Sequence, residues 1–299
     1  QPELFVHRFG RLAREQPGRT ALSFLPASGD EATDLSRGEL DRRARAIAEQ
    51  LFRAGFRERP VLLLYDPGPE FVAALLGCLY CGAIAVPAFA PAVSGRHGDR
   101  LRAIAADSGA KIALCEAARR DRCREVLPDP VQILSPDDQL DPPPDFTPEA
   151  GEIAFLQYTS GSTADPKGVI LSHRSVTHTI VDMDRGWDHS PGSVLVSWLP
   201  VYHDLGLIYG VLTPLYFGFR GYIASPEFFL RDPGRWPAAL QRYGATHTAA
   251  PNFAYELCLK RTTEEQRAAM DLRSVRVMLN AAEPVRATTI ARFQAASRI

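Results

Sequence analysis

The hydrophobic pattern alternates between two periods. Over residues 36 to 55, Leu40, Ala44, Ile47, Ala48, Leu51 and Phe52 fall on one face at 3.6-residue spacing, while Asp41, Arg42, Arg45 and Glu49 face away. That spacing predicts a helix. Ser36 with Glu39 three places on forms a capping-box signature at its start, and Gly55 stands where a left-handed terminating residue belongs. Val61 to Tyr65 is a short unbroken apolar run, as in a strand covered on both faces, and Asp66-Pro67-Gly68 then turns the chain into an apolar helix over about 69 to 81. Strands are predicted again at 84–86, 111–114 and 131–134, with helices at 98–108 and 116–126.

From 135 to 150 the pattern breaks. Ser135-Pro136-Asp137-Asp138 and Asp141-Pro142-Pro143-Pro144-Asp145 forbid regular structure and predict a surface connection, with subdomains 1–135 and 150–299 on either side. Strand-like runs resume at 153–158, 193–198, 246–250 and 275–279, separated by helical stretches. Repeated strand and helix segments predict an α/β fold with mostly parallel sheets flanked by helices.

Composition narrows the function. The chain has 299 residues, is 45% hydrophobic and carries a formal net charge of -1, so it can bury a large core but shows no basic footprint for nucleic acid. No run approaches the roughly 18 apolar residues of a membrane span, and Gln1-Pro2-Glu3 does not open a secretion signal, so a cytoplasmic location is expected. Five scattered cysteines read as reduced thiols. Cys78 and Cys81 have redox-like spacing but lie within an apolar helical run, where they are expected as small buried hydrophobes. His7, His97, His173, His178, His189 and His247 lack ligand spacing, so no protein metal site is expected.

The segment richest in chemistry is Tyr158-Thr159-Ser160-Gly161-Ser162-Thr163-Ala164-Asp165-Pro166-Lys167-Gly168. Glycine lets backbone N–H groups approach an anion, the hydroxyls add donors and lysine adds a point charge, all suited to wrapping a polyphosphate. A solvated Ser/Thr turn is the alternative. The nucleoside-triphosphatase pattern does not fit, because Lys167 precedes Gly168 and Val169 stands where a hydroxyl is needed.

The order of residues closely resembles the phosphate loop of the adenylate-forming superfamily (acyl-CoA synthetases, luciferases, peptide-synthetase adenylation domains), with Ala164 at the one glycine place that differs. Ser197-Trp198-Leu199-Pro200-Val201-Tyr202-His203-Asp204-Leu205-Gly206-Leu207-Ile208 is similar to the acyl-site motif of its fatty acyl-AMP ligase branch. Pro251 to Cys258 and Asn280 to Arg286 resemble two later motifs, Ala281 occupying a usual glycine place.

The resemblance implies a large adenylation domain of two packed subdomains, in which a carboxylate attacks the α-phosphorus of ATP and pyrophosphate leaves. It implies that Thr159, Ser160, Gly161, Ser162, Thr163, Lys167 and Gly168 hold the phosphates with Mg²⁺, with Lys167, Thr163 and His203 taking part in the chemistry. It implies that Ala281, Ala282, Glu283 and Pro284 line the adenine, and that His203, Asp204, Asn252, Phe253 and Tyr255 border a fatty acid. Asp204 is equally a helix cap; Phe253 and Tyr255 are by default core aromatics, and for them the resemblance implies either the acyl wall or the adenine pocket. An acyl carrier protein is the implied acceptor, in lipid or polyketide biosynthesis. Coenzyme A as acceptor, and a non-catalytic scaffold, are the alternatives. The family's magnesium-binding glutamate, its ribose aspartate and the lysine of a small C-terminal domain are not found before Ile299. The chain is therefore expected to be an incomplete large domain, weakly active or inactive alone.

Overall fold

The computed structural model describes residues 1–29, 31–91, 97–136, 148–158 and 166–296. The strands in chain order are β1 Thr20–Leu25, β2 Thr33–Ser36, β3 Pro60–Leu64, β4 Ile84–Ala88, β5 Ile112–Cys115, β6 Gln132–Leu134, β7 Ile153–Tyr158, β8 Gly168–Ser172, β9 Val194–Ser197, β10 Arg220–Ala224, β11 His247–Ala250 and β12 Val277–Asn280. They form two six-stranded sheets, ordered β6-β5-β3-β4-β7-β8 and β12-β11-β9-β10-β1-β2. The predicted α/β fold with largely parallel sheets is what the chain adopts.

Two compact units result, and they are not consecutive halves. One comprises Gln1–Arg19, Ser36–Met183 and Val201–Asp204; the other comprises Thr20–Leu35, Asp184–Pro200 and Leu205–Ile299. The proline-rich connection, of which 137–147 lie outside the described residues, is therefore not the boundary. After it, β7 pairs with β4 in the first sheet (Ala85 opposite Phe155), whereas β1, from the start of the chain, pairs with β10 (Ser23 opposite Tyr222). Periodicity along a chain reveals elements, but strand partners are chosen by edges that lie far apart in sequence.

In the first unit, β6, β5, β3, β4 and β7 run parallel and only the β7–β8 hairpin is antiparallel. Ser36 caps the helix Arg37–Arg53, its Oγ accepting the Glu39 N–H at 3.2 Å, and Gly55 follows at φ +75°. The glycine stop matches expectation, whereas only the Ser36 half of the expected capping box forms, the Glu39 carboxylate pairing with Arg43 at 2.5 Å instead. The helix Pro69–Cys81 is apolar all round and almost entirely buried. Gly77 sets how closely it approaches Arg37–Arg53, since a Cβ there would lie 2.7 Å from Ile47 Cγ2. Cys78 and Cys81 are free and buried in it, as expected.

In the second unit, β12, β11, β9, β10 and β1 run parallel. Its core is aromatic: the Trp198 ring stacks on Phe229 with centroids 4.0 Å apart, and Trp236 packs edge-on to Tyr255 at 5.3 Å. Beyond β9, Leu205–Leu212 forms a wide helix of the π type, a form concentrated at functional sites, and Thr213–Phe217 continues it as an α-helix. No helix among the described residues is long and apolar enough to cross a membrane.

Candidate functional site

The hydroxyl-rich loop springs from the β7–β8 hairpin. Tyr158 ends β7 directly opposite Gly168, the first residue of β8. A Cβ at Gly168 would sit 3.0 Å from Cζ of the Tyr158 ring, so glycine there lets the phenol lie across the base of the hairpin. The Tyr158 hydroxyl donates to Asp107 at 2.6 Å, fixing the ring to the helix His97–Ser108. Burial, with help from Asp107, pushes the Tyr158 phenol well above its ordinary range, so it stays a neutral donor. Lys167 stands exposed beside this closed base. Thr159, Ser160, Gly161, Ser162, Thr163 and Ala164 lie outside the described residues.

The second predicted group sits on the turn after β9. Gly206 is forced by its surroundings: a Cβ would lie 2.1 Å from the Pro200 carbonyl oxygen and 3.0 Å from that of Leu199. Gly210 lies similarly against Ser197 Oγ, at 2.9 Å. The wide helix therefore presses its glycine face against the end of β9, and the chain between Pro200 and Gly206 is thrown out as a turn. In that turn Val201 is buried and His203 keeps 39% of its side chain exposed. His203 Nδ1 lies 2.5 Å from Asp204 Oδ1, leaving Nε2 as the outward nitrogen. The Asp204 hydrogen bond raises the His203 pKa above its ordinary value, against an opposing effect of burial.

Val201–Asp204 groups with the first unit, as does the loop-bearing hairpin. Phe89, just past β4, accounts for part of this: its ring meets Tyr202 edge-on at 6.1 Å and also packs against the core cluster containing Tyr158 and Ala88. Neither Phe89 nor Tyr202 was singled out by sequence, since an aromatic next to a strand end reads as ordinary core.

The third group belongs to the second unit. Asn252 is only 5% exposed, and its side chain is spent on the chain itself. Its Oδ1 accepts from Asn280 Nδ2 at 3.2 Å and from the Arg286 N–H at 3.1 Å, while Nδ2 lies 3.5 Å from Thr289 Oγ1. Tyr255 is buried between Trp236 and Phe293 and donates to the Leu279 carbonyl at 2.9 Å. Of the two readings open for Tyr255, the core one describes its surroundings. Phe253 is different, being 45% exposed and edge-on to both Trp198 and Phe229 at 6.4 Å, the outermost ring of an apolar wall. Glu283 accepts the Phe253 N–H through Oε1, which ties the Ala281–Pro284 segment to the start of this helix. Ala282 adopts φ +71°, so the left-handed position lies one residue beyond the Ala281 place where the motif usually has glycine. Among the described residues no group of three or more His, Cys, Asp or Glu side chains is arranged to hold a metal.

Residues 9–299 match the AMP-binding enzyme family, and the chain belongs to it, on the fatty acyl-AMP ligase branch of the adenylate-forming superfamily. The medium-chain-fatty-acid acyl-carrier-protein ligase JamA of Moorena producens is 40% identical over 93% of this chain and 49% of its own length. The long-chain-fatty-acid AMP ligase FadD26 of Mycobacterium tuberculosis is 36% identical over 94% of this chain and 51% of its own. A fatty acyl-adenylate ligase from Legionella pneumophila, solved with acyl adenylate and pyrophosphate, superposes with a TM-score of 0.90 at 34% identity, over 99% of this chain and 52% of that one. The chain thus spans about half the length of the relatives it matches.

Proposed function

We propose that this chain supplies the nucleotide-binding and acyl-binding part of an ATP-dependent enzyme that activates a fatty acid as its acyl-adenylate and passes it to an acyl carrier protein. The observation that supports it best is the membership of one compact unit by both the hairpin of the hydroxyl-rich loop and the turn carrying His203. The other support is the activity that the relatives described above are named for.

In this reading Thr159, Ser160, Gly161, Ser162, Thr163, Lys167 and the Gly168 backbone hold the β and γ phosphates. The donor set fits: Lys167 is exposed, so its ammonium is open to a phosphate, and it follows a hairpin base that Tyr158 and Asp107 hold together. Mg²⁺, bound with the triphosphate, would neutralise the charge that this chain's own donors leave uncovered. His203, oriented by Asp204, presents Nε2 toward the carboxylate, whose oxygen attacks the α-phosphorus as the bond to pyrophosphate breaks. Its raised pKa keeps a larger share of the imidazole cationic near neutrality, and that share falls as pH rises through the raised value. Phe253 walls the acyl chain, Asn252 and Tyr255 hold that wall in place, and the Ala281, Ala282, Glu283 and Pro284 backbone faces adenine.

Fatty-acid-dependent exchange of pyrophosphate into ATP, followed by transfer to a pantetheinylated acyl carrier protein, tests the reading on the full-length protein. Lys167→Ala and His203→Ala are each expected to slow exchange by about a hundredfold, the effect of losing one preorganised charge donor. Absence of exchange with every medium- and long-chain fatty acid would overturn the proposal, and a coenzyme A thioester as the product would replace the acceptor.

A further inference from the structure

The sheet of the first unit brings two segments to one level at the carboxyl ends of neighbouring strands. β4 and β7 are parallel neighbours with Ala85 opposite Phe155, and continuing that register places Ala88 beside Tyr158. The chain leaves the sheet at these two places. From Tyr158 it enters the hydroxyl-rich loop; from Ala88 it presents Phe89. The Phe89 ring packs on the cluster that includes Ala88 and Tyr158, and it also meets Tyr202 at 6.1 Å with the planes 76° apart. Edge-to-face geometry is directional, so it fixes the angle of the Tyr202 ring as well as its distance. His203 is the next residue, and the buried Val201 on the other side leaves the turn little freedom to pivot.

We propose that Phe89 is a positioning residue for His203: one aromatic ring, seated on the strand end that feeds the phosphate loop, sets where the imidazole stands relative to that loop's base. Phe89 itself touches no reacting group. It acts through Tyr202, so that the carboxylate-facing and phosphate-facing parts of the first unit are gauged from the same pair of strand ends. The catalytic half of this statement rests on the proposed acyl-adenylate chemistry; the structural coupling of Phe89 to His203 does not.

Two measurements separate these halves. In the NMR spectrum of the histidine-labelled protein, assigned with His203→Gln, Phe89→Leu is expected to shift the His203 imidazole signals, and Phe89→Tyr to leave them near their original positions. Val86→Ala, which removes buried volume from the same strand, serves as the control for mere loosening and is expected to leave them unmoved. In turnover assays of the full-length enzyme, Phe89→Leu is expected to lower kcat about tenfold with KM for ATP unchanged, as misplacing one reacting group does. Tyr202→Leu should reproduce the loss, and the double variant should add nothing further. His203 signals unmoved by Phe89→Leu, or moved equally by Val86→Ala, would overturn the coupling. Shifted signals with unchanged kcat would overturn the positioning role. An enzyme that forms no acyl-adenylate at all would sink the proposed function instead, and the spectra would still decide the coupling.

Discussion

The His203 turn and the Asn252 clamp look alike as sequence, each a polar residue at a strand exit beside an aromatic, yet they are built in opposite ways. His203 has one ring nitrogen engaged by Asp204 and a large part of its surface open. Asn252 is buried, and both ends of its amide are committed to Asn280, Arg286 and Thr289. A motif therefore mixes side chains left open to solvent with side chains committed to the chain's own hydrogen bonds, and the proposed function gives ligand contact to the first kind only. Loss of the open kind should cost chemistry and little stability; loss of the committed kind should cost stability first.

The sharpest break is expected at the glycine that creates the turn. Gly206→Ala puts a methyl group 2.1 Å from the Pro200 oxygen, a backbone atom that cannot yield cheaply, and should destabilise the second unit by about 3 kcal/mol or more, seen as a lowered denaturation midpoint. Acid provides a second contrast between open and buried imidazoles. His173 is buried and its pKa is pushed down to about 4 by burial, so it must stay neutral when folded. The unfolded chain binds that proton from about pH 6.5 downward, so stability present above 6.5 should drain away toward pH 4, by about 3 kcal/mol at most. His173→Gln should flatten that part of a melting-temperature profile. The raised pKa of His203 has the opposite sign: its contribution is full below about 6.5 and fades as pH rises through the folded value.

Smaller effects separate the two regions more finely. Asn252→Ala removes the acceptor of the part-buried Asn280 amide and the Arg286 N–H and the contact with the buried Thr289 hydroxyl, and should cost about 1 kcal/mol in chemical denaturation. Ala282→Gly relieves a left-handed alanine and should raise stability by about 0.5 kcal/mol, readable as a slightly higher midpoint. His203→Ala should change the midpoint by less than about 0.5 kcal/mol, because an exposed side chain is lost. A large drop there would mean that the turn is a structural clamp like Asn252 and the contrast is false.

How far the sequence could be read follows from what each feature depends on. The helix Arg37–Arg53, its Ser36 cap and Gly55 were legible because periodicity, capping and a left-handed stop are all local. The fully apolar β3 and β4 were legible for the same reason, with ends displaced by a residue or two. The helix Phe5–Glu15, β1, β2 and β10 passed unmarked, and the grouping of β1 with β10 depends on partners some two hundred residues apart, which no local pattern encodes. In the candidate site, Lys167 and His203 stand out in sequence because their residue types carry charge, whereas the residues that support them do not. Tyr158 over Gly168, Phe89 against Tyr202, and Glu256 accepting from Thr289 at 2.6 Å are ordinary residue types whose meaning comes only from packing.

The close approach of Gly206 to Pro200 has a consequence for how such a turn can diversify. With both of its ends stapled to one spot on the sheet, the span from Val201 to Leu205 has a fixed contour length, and an insertion or deletion would unseat a staple. Relatives sharing this geometry are left with only the identity of the side chains as a means of tuning what the turn reaches, so adaptation here should proceed by exchange of residues at constant length.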